Sequence, residues 1–486
     1  MRMKPVLVLL IAIVATVVPI AISADGNVIH VNLIHRHGAR TKPFIQGAIL
    51  NWADVVLSQQ GAVMALALGK FINEQYGPNS SVGLLPMHYD MDKIVSRTTD
   101  FERTIRTGVG MLRGIYDGET EIPFLYHKPS DYDYMLGYFY SWPSAVLREE
   151  YINTFNAMND QRTLQIVNQT TLNAIGDVIG TTICPTQQTL CALAGEDIAT
   201  CDRSNGGLPP LLNELIQDGQ LFRVQSESFA FQYLYNSSDR YWRNTGPYGR
   251  LLALEWITNA KMALNGSNTE AVMHHYSAHD ITIYGFFVAL GVVNASTTDL
   301  RILIPSFTSV VIGELFPDGS IKLKYGRQDQ DYGSGYGYQL YDDHLRMGCI
   351  NSNNVTYYSQ QCPLEELERF VDTMAPEAPD ATCYADPANA AQTGCDQMGV
   401  VPTNAHCIRY RKNCGFMACQ APYVLDRTTW GCMKVNARPP VAYKSLSAGA
   451  GVAIAASSTL IGVVAGAFMA LCSKKYQEQR SEPLMA

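Results

Sequence analysis

The sequence has no excess of positive charge. Its 36 lysine and arginine residues are outnumbered by 44 aspartate and glutamate residues, and the formal net charge at pH 7 is -8. Nucleic-acid binding needs a basic surface that neutralises phosphates, so nucleic acid is not expected as a partner. A Gly-x-Gly-x-x-Gly segment that opens a helix after a strand is also absent, which excludes the dinucleotide-binding fingerprint.

The histidines lack the spacing of metal ligands. None of the 10 histidines stands with cysteine or carboxylate residues in a pattern typical of a metal site, so we expect neither a metal nor another cofactor. A cysteine cluster from Cys383 to Cys432 is the one segment that would also suit zinc, although an exported chain favours disulfides there. For His35, strand alternation leaves the face of the sheet open.

The most informative segment is Arg36-His37-Gly38-Ala39-Arg40, which follows an apolar, strand-like run from Val28 to Ile34. Open α/β sheets bind ligands at the carboxyl ends of their strands. Guanidinium groups match phosphoryl oxygens in charge and geometry, histidine is a competent nucleophile, and glycine allows a sharp turn. The segment therefore predicts a phosphoryl site, and the alternative is a basic surface turn with a solvated histidine.

Two further segments place charged residues where a strand meets a helix. They are Ser96-Arg97-Thr98-Thr99-Asp100 and Tyr276-Ser277-Ala278-His279-Asp280. Three strand ends could therefore meet in one crevice. Asp100 is predicted to cap the helix that begins at Phe101, whereas for Asp280 a cap of the helix from Ile281 is the alternative to a chemical role.

In these three motifs and their order, the chain resembles the histidine acid phosphatases, branch 2 of the histidine phosphatase superfamily, which includes the prostatic and lysosomal enzymes. The resemblance covers roughly residues 27 to 345. One departure is Lys42, which stands before Pro43 where the family usually reads Arg-His-Gly-x-Arg-x-Pro. We expect this insertion to alter the loop that follows Arg40.

The resemblance implies a role for each motif residue. His37 would attack phosphorus and become phosphohistidine, and Asp280 would protonate the leaving alcohol. The residues implied to hold the phosphate oxygens are Arg36, Arg40, Arg97 and His279. Such donors supply positive charge without a metal. A helix N-terminus lowers the pKa of a carboxyl and a bound phosphate raises it, so an acid role for Asp280 predicts an acid pH optimum.

Two apolar segments predict export and a membrane anchor. Residues 1–23, with Arg2 and Lys4 before an apolar run, read as a signal peptide, whose uncleaved form would be an anchor. Residues 446–472 carry no charge and predict one transmembrane helix, with the tail 473–486 cytoplasmic because Lys474 follows at once. A lipid-anchor signal fits this end less well. The predicted N-glycosylation sites are Asn79, Asn168, Asn236, Asn265, Asn294 and Asn354.

Export also predicts disulfides, since 11 of the 12 cysteines precede the span, in groups at 184–201, 349–362 and 383–432. The pairing is not deducible from spacing, and the odd count leaves one cysteine unpaired or intermolecular. Gly462 and Gly466 form a Gly-x-x-x-Gly pair, so a homodimer is possible.

The predicted fold is α/β: a phosphoglycerate-mutase-like open sheet with helices on both faces, formed by residues 24–130 and 246–345. Residues 131–245 show no strand alternation and are predicted as an inserted, mostly helical cap, and 346–445 as a cysteine-rich membrane-proximal region. Within the sheet domain we expect a helix from Ser58 to Tyr76 and a hairpin around Pro317-Asp318-Gly319-Ser320.

The predicted function is an acid phosphatase that hydrolyses small phosphate monoesters or phosphopeptides. As a single-pass type I membrane protein, it would hold its catalytic domain on the luminal or extracellular side of an endosomal-lysosomal membrane or the cell surface. A phytase-like or other specialised phosphomonoesterase is the alternative within the enzymes. A non-catalytic binding ectodomain on the same fold is the alternative from another class.

Overall fold

The computed structural model describes residues 28–51, 55–119, 123–128, 133, 135–137, 159–239, 242–243, 246–266, 271–328, 337–342, 345–376, 401–403, 407–408, 411, 423–426 and 428–434. The predicted signal peptide, membrane span and tail lie outside these ranges. No helix within them has both the length and the apolar character needed to cross a bilayer.

The described residues include fourteen strands and ten helices. The strands are β1 His30–Arg36, β2 Phe44–Gln46, β3 Ile49–Asn51, β4 Ile94–Thr99, β5 Tyr126–Lys128, β6 Met273–Ala278, β7 Val310–Leu315, β8 Ser320–Gln328, β9 Tyr338–Leu340, β10 Met347–Ile350, β11 Thr356–Ser359, β12 Gln361–Pro363, β13 Tyr423–Leu425 and β14 Cys432–Lys434. The helices are α1 Gln59–Tyr76, α2 Glu102–Ile115, α3 Gln169–Ile179, α4 Gln188–Asn205, α5 Pro210–Gln217, α6 Gln220–Tyr233, α7 Arg250–Leu264, α8 Asp280–Ala289, α9 Leu300–Leu303 and α10 Leu364–Asp372.

The centre of the fold is an 8-stranded mixed sheet in the order β12-β8-β7-β1-β6-β4-β5, with β9 paired to β8. Strands β1, β6, β4 and β5 run parallel to one another, while β7 and β8 are antiparallel to their neighbours. All seven residues of β1 are buried, as expected for a central strand covered on both faces. The parallel arrangement brings the carboxyl ends of β1, β4 and β6 to the same edge.

Helices cover both faces of this sheet. On one face, α1 and α2 share a core with Leu33 and Met273. They approach closely because Gly69 and Gly114 meet, and a Cβ at Gly69 would lie 2.0 Å from the Met111 carbonyl oxygen. On the other face, α7 and α8 enclose a core that contains Trp256, Phe286 and Phe287. The described part of the chain is therefore a mixed α/β fold with a central sheet.

Helices α3 to α6 form a separate apolar core. It contains Leu172, Ile175, Leu212 and Val224 and is drawn from all four helices and the segments between them. A disulfide between Cys184 and Cys191 closes the connection into α4. Within the described residues 159–239 the structure is helical apart from short connections.

The sheet continues beyond the predicted domain boundary at residue 345. Strand β12 pairs with β8, and α10 follows it directly and packs against α7. A second disulfide, Cys349–Cys362, joins β10 to β12. Residues 346–376 are therefore part of the sheet layer. The apolar, buried positions Leu364, Leu367 and Val371 on α10 explain why this segment packs there.

Several local predictions can be compared directly with the structure. Helix α1 begins after Ser58, whose hydroxyl accepts a hydrogen bond from the Gly61 amide, and it ends at Gly77 as predicted. The hairpin of β7 and β8 is also present. Tyr338–Leu340 forms a further strand, β9, on the edge of β8.

Four histidines form two hydrogen-bonded pairs between β1 and β6. His35 Nδ1 lies 3.0 Å from the Arg36 carbonyl oxygen, and its Nε2 lies 2.8 Å from Nε2 of His275. In the second pair, Nδ1 of His274 lies 3.2 Å from Nε2 of His30, whose Nδ1 meets the Ala271 carbonyl oxygen. A carbonyl can only accept, so each pair satisfies its hydrogen bonds with one proton per ring. Both pairs therefore require neutral imidazoles.

Burial lowers the pKa of His30 and of His35 to about 4, and that of His274 to about 3. An unfolded chain protonates its histidines below about pH 6.5, whereas these three stay neutral in the folded chain until about pH 4. The unfolded state thus binds more protons, so the free energy of unfolding should fall as pH decreases from 6.5 to 4. The loss is up to about 3 kcal/mol for each histidine.

The test is the pH dependence of denaturant unfolding. A double variant, His30→Gln with His274→Gln, removes two titrating groups and should show a smaller loss of stability between pH 6.5 and 4 than the parent chain. The exposed His88→Gln controls for the loss of a histidine outside the two buried pairs. An unchanged pH dependence in the double variant would show that this pair does not contribute.

Candidate active site

The three predicted motifs meet at the carboxyl ends of β1, β4 and β6. The amide of His37 donates to the Ala278 carbonyl oxygen at 3.0 Å, and the amide of Thr308 donates to the His37 carbonyl oxygen at 3.2 Å. These backbone bonds hold the segment after β1 against the end of β6. The first turn of α1 closes this edge from the side.

Gly38 is required by close packing. A Cβ on this residue would lie 2.5 Å from the Gly61 carbonyl oxygen in α1, a distance that no side chain allows. Its amide donates to the Thr107 hydroxyl at 3.0 Å. Gly38 is not among the glycines with positive φ, so the expected sharp turn is not the reason for this glycine.

His37 is oriented with one ring nitrogen committed and the other available. Its Nδ1 lies 2.9 Å from the Gly38 carbonyl oxygen. Since a carbonyl only accepts hydrogen bonds, the proton of the neutral ring is on Nδ1 and the lone pair is on Nε2. The ring is almost fully buried and lies edge-to-face with His279 at 5.5 Å between centroids. Nε2 is therefore the atom available for nucleophilic attack.

The surroundings of His37 keep it neutral. Burial lowers its pKa well below 6.5, and the positive charges of Arg103, Arg36 and Arg40 lower it further. Burial and the same three arginines also lower the pKa of His279. Both imidazoles are therefore harder to protonate than an ordinary histidine.

Arg36 is held on three sides. Its Nη2 lies 2.9 Å from Oδ2 of Asp280, and its Nη1 donates to the Pro305 carbonyl oxygen at 2.8 Å. Its Cζ also lies 4.4 Å from the centroid of the Phe307 ring, a cation–π contact. The guanidinium is thus fixed in position beside His37 before any ligand arrives.

Arg40 is paired with a carboxylate that sequence analysis did not identify. Its Nη2 contacts Asp197 on α4, and its Nη1 lies 3.4 Å from Sγ of Cys201, which is buried and forms no disulfide. The helices of residues 159–239 are in this way tied to the β1 motif. The predicted Lys42 insertion is exposed and pairs with Asp202 at 3.4 Å on the same helix.

His279 is oriented by a chain of hydroxyl groups. The Thr104 hydroxyl lies 2.8 Å from the Phe101 carbonyl oxygen, to which it must donate, and Thr99 in turn donates to Thr104 at 2.9 Å. The Thr99 oxygen, 2.9 Å from His279 Nε2, is then left to accept. The neutral ring of His279 therefore carries its proton on Nε2.

The prediction that Arg97 belongs to the site is corrected by its contacts. Its Nη2 lies 2.6 Å from Oδ1 of Asp133, and its Nη1 lies 3.5 Å from Sδ of Met135. Asp133 also accepts from the Leu136 amide. Arg97 thus neutralises a buried carboxylate and holds the 133–137 turn.

Arg103 occupies the place expected for Arg97. It is buried in the first turn of α2, and its Cζ lies 4.6 Å from the centroid of the Phe101 ring, which in turn meets His279 edge-on. Among nearby charges, that of Arg103 lowers the pKa of His37 and of His279 the most. One signal in the sequence could have revealed it: a cation in the first turn of a helix opposes the helix dipole and needs a reason.

The predicted cap role of Asp100 is wrong. Helix α2 begins at Glu102 without a side-chain cap, and Asp100 instead lies 3.2 Å from Nδ1 of His127. Asp280 is the first residue of α8; besides its ion pair with Arg36, it accepts from the Ile281 amide at 2.8 Å. Of the predicted residues, the structure thus brings together His37, His279, Asp280, Arg36 and Arg40.

A cavity of about 340 Å³ opens beside Arg36. Its walls come from α4, from the segment 300–307 and from β8. Glu196 on α4 is part of the lining, and burial followed by the charge of Asp197 raises its pKa to about 8. This carboxyl is therefore protonated in neutral or acidic solution and adds no negative charge to the cavity.

Comparison with known proteins relates part of the chain to a known family. Residues 44–192 match the family model of the histidine phosphatase superfamily (branch 2). Testicular acid phosphatase of Mus musculus is 27% identical over 121 residues, which are 23% of this chain and 26% of that protein. Over residues 44–192 the chain is therefore similar in sequence to branch 2 of the histidine phosphatase superfamily. The match to the mouse relative spans about a quarter of that relative's length.

Solved structures show that the histidine phosphatase fold extends over most of the chain. A phytase from Klebsiella sp. ASR1 has a TM-score of 0.51 and 12% identity, covering 72% of this chain and 96% of that one. Hafnia alvei phytase in complex with tartrate also has a TM-score of 0.51, with 14% identity, and covers 74% and 98%. At these identities the likeness concerns the fold alone.

The assignments of Arg103 and Arg97 can be separated experimentally. Arg103→Ala should weaken binding of inorganic phosphate by about 10- to 100-fold, because a charge-assisted hydrogen bond contributes about 1.5–3 kcal/mol. Arg97→Ala should instead lower the free energy of unfolding by about 3–5 kcal/mol, because it leaves Asp133 as an unpaired buried carboxylate. Calorimetric phosphate titration and thermal unfolding measure the two effects. A larger affinity loss in Arg97→Ala, with unchanged stability, would contradict this assignment.

Proposed function

We propose that this chain is an acid phosphatase that hydrolyses phosphate monoesters through a phosphohistidine on His37. The observation that carries the proposal is the state of the His37 ring. Its Nδ1 is committed to the Gly38 carbonyl, its Nε2 keeps a lone pair, and three buried arginines act on it. A nucleophile among positive charges suits phosphoryl transfer, in which catalysis is mostly positioning and charge stabilisation.

In this proposal Arg36, Arg40 and Arg103 bind the phosphate. His279 joins them as a donor in its protonated form, which a phosphate dianion favours, because the neutral ring has its one proton committed to Thr99. Arg36 and Arg40 now pair with Asp280 and Asp197, so these carboxylates hold the guanidiniums in position where an anion can join them. A phosphate dianion close to Asp280 disfavours its ionised form. Substrate binding thus favours the protonated carboxyl that a general acid requires.

In this proposal hydrolysis takes place in two steps. In the first, His37 Nε2 forms a bond to phosphorus, the bond from phosphorus to the ester oxygen breaks, and that oxygen takes the proton of Asp280. In the second, water attacks the phosphohistidine, Asp280 takes a proton from the water, and inorganic phosphate leaves with His37 restored. The lowered pKa of His37 leaves the lone pair of the nucleophile available at a pH where an ordinary histidine takes up a proton. An acid pH optimum follows.

Asp280→Asn should slow the hydrolysis of substrates with poor leaving groups far more than the hydrolysis of activated ones. Help from a general acid is worth about 10²- to 10⁴-fold when the leaving oxygen needs a proton, whereas nitrophenolate leaves without one. The measurement is kcat/KM for glycerol 2-phosphate and for 4-nitrophenyl phosphate, with phosphate affinity as a check on the site. Equal losses on both substrates would make Asp280 a positioning residue and not the acid.

His37→Ala should abolish hydrolysis of both substrates, because it removes Nε2, the atom that forms the proposed covalent intermediate. The exposed His88→Ala is the control and should retain full activity. Labelled substrate quenched without acid should leave label on His37 in the parent chain. Activity that persists in His37→Ala would rule out His37 as the nucleophile, and a parent chain that hydrolyses neither substrate would favour a non-catalytic binding ectodomain.

The location in the cell is part of the same proposal: a single-pass type I membrane protein with the catalytic domain luminal or extracellular. Two disulfides, Cys184–Cys191 and Cys349–Cys362, support export. Cys407 and Cys432 are also disulfide-bonded, which removes them as zinc ligands. All of the sequon asparagines are exposed and accessible to glycosylation: Asn79, Asn168, Asn236, Asn265, Asn294 and Asn354.

Protease protection tests this topology. Protease added to sealed vesicles from cells that make the chain should remove only the tail 473–486, and glycosidase should lower the mass of the protected remainder. The same digestion after detergent permeabilisation is the control. Digestion of the large domain in intact vesicles would reverse the orientation.

A further inference from the structure

The cavity beside Arg36 contains a buried arginine without an anionic partner. Arg327 on β8 is 8% exposed, and its Nε donates to the Ser306 hydroxyl at 3.3 Å. Among the residues that the structure describes, no carboxylate forms an ion pair with it. Buried charge is costly unless it is paired, so Arg327 differs from a structural arginine.

Four other buried arginines are paired with a carboxylate. The buried guanidiniums with a carboxylate within 3.0 Å are Arg36, Arg40, Arg97 and Arg250. Even Arg301 at the same cavity, although partly exposed, makes a two-pronged pair with Asp299. Arg327 differs from these five arginines, since no described carboxylate forms an ion pair with it.

The rest of the lining leaves the cavity positively charged. Arg203 on α4 is exposed, reaches the cavity, and has no ion pair within the described ranges. Glu196 is the carboxyl on the facing helix, and it is protonated below about pH 8. Arg327 and Arg203 therefore contribute charge that no described group of the lining neutralises, next to the arginine that orients the scissile phosphate.

We propose that this cavity is a second anion subsite, in which Arg327, assisted by Arg203, binds an anionic group on the leaving-group side of the substrate. Arg36 lines both the cavity and the proposed phosphate site, so one substrate can reach both. The preferred substrate is then a phosphate monoester whose alcohol carries a second phosphoryl or carboxylate group. The inference rests on the proposed phosphatase function, because it concerns the leaving group of that reaction.

The apolar part of the lining sets the size of this substrate. Phe222, Ile304 and Phe307 line the cavity between the charged groups. A volume of about 340 Å³ lies at the lower end of small-molecule sites, which span about 300–1,000 Å³. This leaves room for a compact carbon skeleton, such as that of a sugar, between two anionic ends.

The catalytic test compares fructose 1,6-bisphosphate with fructose 6-phosphate on the full-length chain. The parent should favour the bisphosphate in kcat/KM by about 10- to 100-fold, more than the statistical advantage of two phosphates, because one charge-assisted contact is gained. Arg327→Gln should lose this preference while keeping its rate on the monophosphate, and Arg327→Lys should restore part of it. Arg113→Gln, an exposed change away from the cavity, controls for total charge and should behave as the parent.

A second pair of substrates identifies the source of the anionic group. Two phosphoserine peptides are compared, one with glutamate and one with alanine two residues from the phosphoserine. A higher kcat/KM for the glutamate peptide would show that a carboxylate can replace the second phosphoryl group. Preference for the glutamate peptide that depends on Arg327 supports recognition of acidic peptides. Preference confined to the bisphosphate supports a phosphorylated small molecule. Equal losses on all substrates in Arg327→Gln, or no preference in the parent, would overturn the subsite.

Binding separates this inference from the proposed function. Calorimetric titration of fructose 1,6-bisphosphate into His37→Ala, with and without Arg327→Gln, measures the subsite without turnover. If the parent hydrolyses nothing but Arg327→Gln weakens this binding about tenfold or more, the function is wrong and the subsite stands. If the parent is active and Arg327→Gln changes neither binding nor preference, the function stands and the subsite is wrong.

Discussion

The structure depends on crowded positive charge at the carboxyl end of β1. Arg36, Arg40 and Arg103 are all buried there around His37, and charge of one sign held out of water must be balanced. The balance comes from two layers of the molecule: Asp280 from α8 pairs with Arg36, and Asp197 from α4 pairs with Arg40. The ion pair of Arg40 therefore joins the α3–α6 helices to the sheet at the point where the chemistry is proposed.

The same burial has opposite consequences for different histidines. It keeps His37 neutral at low pH, which suits a nucleophile that works in acid, because proton and phosphorus compete for the same lone pair. It also keeps the His30–His274 and His35–His275 pairs neutral, and for them acid only favours the unfolded state. Since His35 also bonds the Arg36 carbonyl, one of these pairs lies directly beneath the site. Burial of neutral histidines therefore favours the proposed activity in acid but lowers the stability of the folded chain there.

Local sequence was sufficient where a single segment carries the whole signal. The cap at Ser58, the β7–β8 hairpin and the three strand-to-helix motifs could all be predicted from residues close in the chain. Arg103 could not be separated from Arg97 in that way, because six residues apart, on a strand and a helix, either could face the site. Asp197 and Arg327 come from segments whose distance from β1 is set only by tertiary packing. The strand β12 was missed for the same reason, since its three residues become a strand only beside β8.

The site and its cavity are built from different parts of the chain. The residues proposed for catalysis are therefore distinct from most of those proposed to select the leaving group. The groups of the proposed phosphate site come from the ends of β1 and β6 and from the first turns of α2 and α8, elements of the central layers. The cavity walls come instead from α4, from the segment around α9 and from the outer part of β8. Changes in those walls alter the electrostatics felt by a leaving group without moving His37, because its position is fixed by backbone bonds to Ala278 and Thr308. A chain with a net negative charge can therefore still have a positively charged site, because the local buried charges and not the net charge set the potential there.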